Sequence, residues 1–291
     1  MGLNDLIGLK EPLTKMVESI SNGIGVVYEP TRIRRKAKAE ADAMLIQAAA
    51  EVEVEELKRR AAEWNSYTDL RRQRNRDQVV AQAIEELPES VNEKPVNEDW
   101  TVQFFNLSQD VGDAEMQSLW ARILAGEVAQ PGTYSLRTLQ TVKVLSKADA
   151  QLFTQYCSYV WRLSDETVCR YPTRETDKFL ADKGMNLAKR RHLQSLGLLS
   201  MNLLSSSGGS HTAISSRAEP FEVIYAGRKY LVRQFLTPKE SALLYPEFLT
   251  DIGTELFPIS GAQPDEQYLE TLIKTLADEA KLEVSPQREG T

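Results

Sequence analysis

Hydrophobic residues recur at helical spacing through the first third of the chain. Along 3–27, leucine, isoleucine and valine residues fall three or four positions apart, and the segment ends in an apolar run before Pro30. From Thr31 to about Glu86 the chain contains no proline or glycine and is rich in alanine, glutamate, lysine and arginine, which favours helix. The pattern predicts an amphipathic apolar leader over 1–30 and a long helix or helical hairpin over 31–86, with a bend near Trp64 and Tyr67.

Shorter elements with clear boundaries follow the long helix. Two prolines and several acidic residues predict a linker over 87–97. Apolar residues at helical spacing then predict a central helical segment over 98–146, in which Asp113 and Ser135 are candidate helix N-caps. This segment is predicted to form a compact core of its own.

The last part of the chain combines helical and strand-like patterns. Two strand-like runs joined by Ala226-Gly227-Arg228 predict a β-hairpin. Three helices are predicted before it, near 147–162, 174–183 and 187–196. After it we expect a short helix that follows a strand within 249–256, and a final helix from Asp265 to Ala280. The predicted fold is therefore mainly α, with a long N-terminal helical arm, a central helical segment, a C-terminal winged-helix-like α+β domain over 147–284, and a disordered tail over 285–291.

Composition limits the class of protein. The 291 residues are enough for two domains. No window contains the roughly 18 uninterrupted apolar residues that cross a bilayer, and no secretory signal pattern is present, which predicts a cytoplasmic protein. Cys157 and Cys169 are predicted to be reduced core thiols. Together with His192 and His211 they show no metal-ligand spacing, so we expect no metal site.

The net charge of −7 conceals a basic segment between Thr31 and Arg76, where twelve lysine and arginine residues face eight acidic ones. Such a segment is attracted to nucleic-acid phosphate or an anionic surface. The alternative interpretation is a solvated helix whose charges are interleaved. The charge pattern alone does not separate these interpretations.

The apolar leader has three interpretations: peripheral contact with a membrane, an interface between chains, or a cap on the core. Acidic residues on its polar face, Glu11 and Glu18, are unlike the cationic face of most interfacial helices. We expect a homo-oligomer in which the leader and the long helix form the interface. The candidate oligomerisation residues are Leu13, Val17, Ile20, Ile24, Leu45 and Val52.

Basic residues also mark a candidate nucleic-acid surface in the winged-helix-like domain, because a helix and a wing can straddle a phosphate backbone. These residues are Lys189, Arg190, Arg191, His192, Arg228 and Lys229. No arrangement of serine, cysteine, histidine or carboxylate residues suggests nucleophilic or acid–base catalysis, and no glycine loop precedes a helix. The sequence predicts neither an enzyme nor a bound cofactor.

Three stretches together carry a family resemblance. They are the Gly23–Pro30 run that leads into the long helix, the Met116–Glu127 helix with Ser135–Leu139, and the pair Leu196–Leu199 and Leu249–Gly253. Over most of its length the chain resembles the bacterial family called domain of unknown function 2806. It is more distantly similar to the abortive infection alpha proteins, which share the helix containing Leu119-Trp120. The resemblance implies a role in phage defence and brings no catalytic residue with it.

These observations lead to one main hypothesis and two alternatives. The main hypothesis is a non-enzymatic, self-associating bacterial protein of the abortive-infection type that acts through oligomerisation and a protein partner. The first alternative is a winged-helix DNA-binding regulator. The second is a membrane-acting effector that uses the N-terminal amphipathic stretch.

Overall fold

The computed structural model describes residues 51–163, 168–201, 220–234, 246–280 and 282–287. The chain divides into two compact units, residues 1–143 and 144–291. The described part is mainly α with one antiparallel sheet of seven strands, which confirms the predicted balance of helix and strand. The apolar leader and the first part of the long helix lie outside the described residues.

The described part of the first unit contains helices and no strands. Its helices are α1 (Glu51–Glu85), α2 (Glu98–Ser108), α3 (Ala114–Ala129) and α4 (Leu136–Val144). The side chain of Asp113 accepts hydrogen bonds from the first turn of α3, and that of Ser135 accepts one from the Thr138 amide, as expected of N-caps. Helix α1 is continuous past Trp64 and Tyr67, so the predicted bend is absent.

The core of this unit forms where α2 and α3 meet. Phe104 stacks on Trp100 with ring centroids 5.2 Å apart and meets Trp120 edge-on at 5.3 Å. The indole N–H of Trp100 donates to the Tyr134 carbonyl at 2.8 Å. The buried carboxylate of Glu127 accepts from the amides of Gly132 at 2.6 Å and Tyr134 at 2.9 Å. These bonds fix the turn that leads into α4.

The second half of α1 is attached to this core by polar contacts. Arg72 forms an ion pair with Asp110 at 2.8 Å, and the amide group of Asn75 donates to the Gln109 carbonyl at 2.8 Å. Val79 and Ala83 are fully buried. In contrast, every residue from 55 to 71 except Thr68 is exposed. The first half of α1 therefore extends beyond the helices on which its second half packs.

The second unit alternates helices and strands. In chain order the described elements are α5 (Lys147–Cys157), β1 (Trp161–Leu163), β2 (Val168–Arg170), α6 (Arg174–Asp182), α7 (Leu187–Ser195), β3 (Leu199–Met201), β4 (Phe221–Tyr225), β5 (Arg228–Gln234), β6 (Glu247–Leu249), α8 (Asp251–Leu256), a 3₁₀ turn (Phe257–Ile259), α9 (Glu266–Ala280) and β7 (Leu282–Pro286).

Two predicted boundaries in this unit are wrong. The helix predicted over 147–162 ends at Cys157, because Trp161 lies in β1 opposite Cys169, where an extended backbone is needed for pairing. The tail predicted from Ser285 begins too early. Ser285 and Pro286 belong to β7, where they pair with Leu231 and Tyr230, and residues 288–291 lie outside the described part.

All strand pairs are antiparallel, in the order β3-β6-β2-β1-β4-β5-β7. The predicted hairpin is confirmed as β4 and β5. Its turn has positive φ at both Ala226 and Gly227, as a two-residue hairpin turn of type I′ requires. Helix α9 places Tyr268 among the rings of Tyr159, Phe179 and Tyr225, with centroids 5.0–6.5 Å apart.

Candidate interaction surfaces

Four large hydrophobic side chains are exposed along the first half of α1. Their exposed fractions range from 61 to 68%, and they are Leu57, Trp64, Tyr67 and Leu70, which we call the exposed stripe. Trp64 and Tyr67 lie one turn apart with ring centroids at 6.1 Å. Single exposed hydrophobic residues are common on protein surfaces, but a group that includes a tryptophan on one helix indicates an interaction surface.

The exposed stripe overlaps the face that α1 buries further along. Leu57, Ala61, Trp64 and Thr68 follow one another at spacings of four, three and four residues, which keeps them on one side of a helix. The same spacing leads on to Asn75 and Val79, which are buried in the first unit. One continuous face is therefore covered in its second half and uncovered in its first.

A second feature lies in the sheet unit, where four charged side chains form what we call the buried charge cluster. Arg170, Arg190 and Glu247 are buried, and Asp177, whose side chain is 42% exposed, closes the cluster on the solvent side. Arg170 is fully buried, and it pairs through Nη2 with Asp177 at 2.6 Å and through Nε with Glu247 at 2.8 Å. Arg190 pairs with Asp177 at 3.2 Å and with Glu247 at 3.3 Å. Two cations and two anions balance, as burial of charge requires.

Two tyrosines complete the surroundings of the buried charge cluster. The Tyr156 hydroxyl donates to the Glu247 carboxylate at 3.1 Å, and burial together with that negative charge raises the pKa of Tyr156 well above its ordinary value. Burial also raises the pKa of Tyr268, although the nearby positive charge of Arg170 opposes the rise. Both tyrosines therefore remain neutral at every physiological pH.

The buried charge cluster determines which predicted nucleic-acid residues are accessible. Arg190 lies on the inner face of α7 and is 4% exposed, with both carboxylates in contact. Its guanidinium is therefore unable to reach a phosphate in this fold. Lys189, Arg191 and His192 are exposed on the same helix. The Nε2 atom of His192 lies 2.6 Å from the Asp149 carboxylate, which ties α7 to α5.

Arg228 and Lys229 are exposed at the β4–β5 turn, and Arg228 forms an ion pair with Glu266. In the sheet, four strands lie between β5 and β3, the strand that follows α7. The hairpin and the turn before α7 both contact the start of α9: Arg228 pairs with Glu266, and Lys183 donates to the neighbouring Gln267 at 3.2 Å.

The structure adds residues that the sequence did not single out. The predicted oligomerisation residues Leu13, Val17, Ile20, Ile24 and Leu45 lie outside the described residues, and of Val52 only the helical backbone is described. The exposed stripe lies C-terminal to all six of these predicted residues. In the sequence, the exposed stripe is indicated by two aromatic residues and two leucines that lie close together among many charged residues.

Other candidate chemistry is limited in the described ranges. Cys157 and Cys169 are buried and unbridged, and burial raises the pKa of the Cys157 thiol. Within these ranges, no three histidine, cysteine or acidic side chains are grouped so as to hold a metal ion. None of the helices there has the length and apolar character needed to span a membrane.

Comparison with known proteins identifies one family. The model of a protein family described as "Protein of unknown function (DUF2806)" matches residues 59–273, which cover α1 from its exposed half to the middle of α9. No curated protein and no solved structure matches the chain. The abortive infection alpha proteins are not among the matches.

The buried charge cluster predicts a large stability difference between two Glu→Gln substitutions. Glu247→Gln leaves two buried arginines facing one carboxylate, and breaking a buried pair costs about 3–5 kcal/mol. Glu266→Gln removes only the half-exposed partner of Arg228, a type of contact that contributes about 0–1 kcal/mol. We expect urea unfolding of the full chain to show a clearly lower midpoint for Glu247→Gln alone. Equal midpoints would contradict this assignment.

Proposed function

The chain belongs to the DUF2806 family, and we propose that it is a non-enzymatic protein that self-associates through α1 and binds a partner through its C-terminal unit. The exposed stripe carries this proposal. Burial of one leucine or aromatic side chain contributes about 1.5–3 kcal/mol, so Leu57, Trp64 and Tyr67, which share one side of the helix, provide the driving force for association. Leu70 lies about 140° around the helix from Leu57 and outside this side. The charged residues around them keep the unassociated helix soluble.

The C-terminal unit is proposed to be a winged-helix-like binding module. Support comes from the succession α5, β2, α6, α7, β3 and β6, with β6 paired between β3 and β2. Helices α6 and α7 are joined by a short turn with Gly184 at φ +82°, as in a helix-turn-helix. In this proposal α7 is the exposed helix of the module. The paired strands β3 and β6 take the place of the two wing strands, and β4 and β5 are inserted between them in chain order.

The biological setting is proposed to be phage defence of the abortive-infection type. This part of the proposal rests on the distant resemblance of the Leu119-Trp120 helix to abortive infection alpha proteins, and on no contact in the fold. Self-association suits such a role because oligomers assemble steeply with concentration. Loss of plaque protection in bacteria expressing an association-deficient variant is the corresponding cellular result.

The association proposal is tested by a double substitution in the exposed stripe. Leu57→Gln with Trp64→Gln removes two apolar side chains that make no contribution to the core of the first unit, so helix content should not change. Losing about 3 kcal/mol of burial weakens self-association by about 100-fold or more. Multi-angle light scattering at micromolar concentration should find a multiple of 32.8 kDa for the wild-type chain and 32.8 kDa for the variant.

The matched control is Leu136→Gln with Val144→Gln, which also removes two exposed hydrophobic residues, 44% and 75% exposed, but from α4. This control should have the wild-type mass. A wild-type chain that is monomeric under these conditions, or an unchanged mass for the variant in the exposed stripe, would rule out the proposed interface.

A second candidate function is binding of nucleic acid through α7. This candidate is favoured by Lys189 and Arg191, which are exposed on α7, the second helix of the helix-turn-helix. The acidic net charge of the chain opposes it, because long-range repulsion from a charge of −7 weakens attraction to phosphate.

Salt dependence separates this candidate from protein binding. If α7 contacts phosphate, Lys189→Ala with Arg191→Ala should reduce the slope of log affinity against log salt by about 2, since each contact contributes about 0.9. Arg233→Ala, an exposed cation on β5, should leave the slope unchanged. Fluorescence anisotropy with a labelled DNA duplex measures the slope. No binding by the wild-type chain at low salt would exclude this candidate.

A further inference from the structure

The sequence of side chains along the exposed half of α1 specifies how two copies pair. We infer that α1 forms an antiparallel, two-fold symmetric helix pair with α1 of a second copy of this chain, centred between residues 62 and 63. This inference rests on the proposed self-association and adds its geometry. The face concerned consists of Leu57, Ala61, Trp64 and Thr68.

The sizes of the side chains on this face favour antiparallel pairing. An antiparallel pair centred at this point places Trp64 of each copy opposite Ala61 of the other, and Leu57 opposite Thr68. Each large side chain then meets a small one, so the layers fill space evenly. Parallel pairing in register instead places the two Trp64 rings in one layer and the two Ala61 methyl groups in the next. That arrangement overfills one layer and leaves a gap in the other.

The residues that flank this face also favour antiparallel pairing. Arg60 and Tyr67 are seven residues apart, lie on the same flank, and are both exposed. In an antiparallel pair equivalent flanks of the two helices face each other, so Arg60 of one copy lies near the Tyr67 ring of the other. A guanidinium near an aromatic face is a favourable cation–π contact. The two-fold axis forms this contact twice.

Charge along the helix supports the same orientation. Between residues 51 and 63 the sequence has five acidic and three basic residues. Further along the helix, one acidic residue, Asp69, accompanies the exposed Arg71 and Arg74, whereas Arg72 is paired with Asp110 and Arg76 is buried. Antiparallel pairing places the acidic part of one helix beside the basic part of the other. Parallel pairing instead places parts of the same charge beside each other. Opposite charges at the edges of a helix pair set its orientation.

Disulfide cross-linking in the full-length chain distinguishes the orientations. Native Cys157 and Cys169 are buried and do not compete. We would mix a Leu57→Cys chain with a size-tagged Thr68→Cys chain and oxidise mildly. The mixed disulfide should form at least tenfold faster than either homodimeric disulfide, because only residues 57 and 68 face each other. Ser66→Cys, on the opposite side of the helix, is the matched control and should not cross-link with either chain.

Two results would overturn the inference. Leu57→Cys cross-linking to itself as fast as to Thr68→Cys would establish parallel pairing. Light scattering could instead show that the wild-type chain is a dimer while none of the cysteine variants cross-links. That result would place the interface on another surface of the chain, and the proposal of self-association would still hold. If the wild-type chain is a monomer, the proposed function fails first, and the exposed stripe is covered by another occupant such as residues 1–50.

Discussion

The attachment of the second half of α1 to the first unit determines which side of its first half is available for interaction. An α-helix is stiff over its length, so fixing Arg72 to Asp110 and Asn75 to the Gln109 carbonyl also fixes the direction in which Leu57 and Trp64 point. Gln117 of α3 strengthens this attachment by donating to the side-chain carbonyl of Gln78 at 3.0 Å. The helix thus presents a defined surface from a rigid base, which reduces the entropy lost when a partner binds.

The buried charge cluster has a comparable role in the second unit. Arg170, Arg190, Asp177 and Glu247 come from β2, α7, α6 and β6, so their bonds hold those four elements in one arrangement. Such clusters seldom add net stability compared with a hydrophobic core, but an incomplete one is costly, and alternative packings are therefore disfavoured. Because Arg190 takes part, α7 presents fewer cations at its surface than its sequence suggests.

Local signals in the sequence predicted local structure well. Asp113 and Ser135 were correctly placed at the starts of helices, and Ala226-Gly227 correctly marked a hairpin turn, because a cap or a tight turn depends on a few neighbouring residues. Trp161 and Ser285 were misassigned, because β1 lies between β2 and β4 and β7 lies beside β5, and β4 and β5 are distant in sequence from β1 and β7, respectively. The burial of Arg190 was not predictable for the same reason, since Glu247 lies 57 residues further along the chain. The exposed stripe was partly visible, but a single sequence does not reveal which part of a long helix face is covered.

The central claim is that the uncovered part of the α1 face joins two copies of the chain. Sedimentation equilibrium of the unmodified full-length protein, over concentrations from nanomolar to high micromolar, tests it most directly. The account predicts a mass that rises reversibly from 32.8 kDa to twice that value as concentration increases. A mass that remains at 32.8 kDa over the whole range would contradict it.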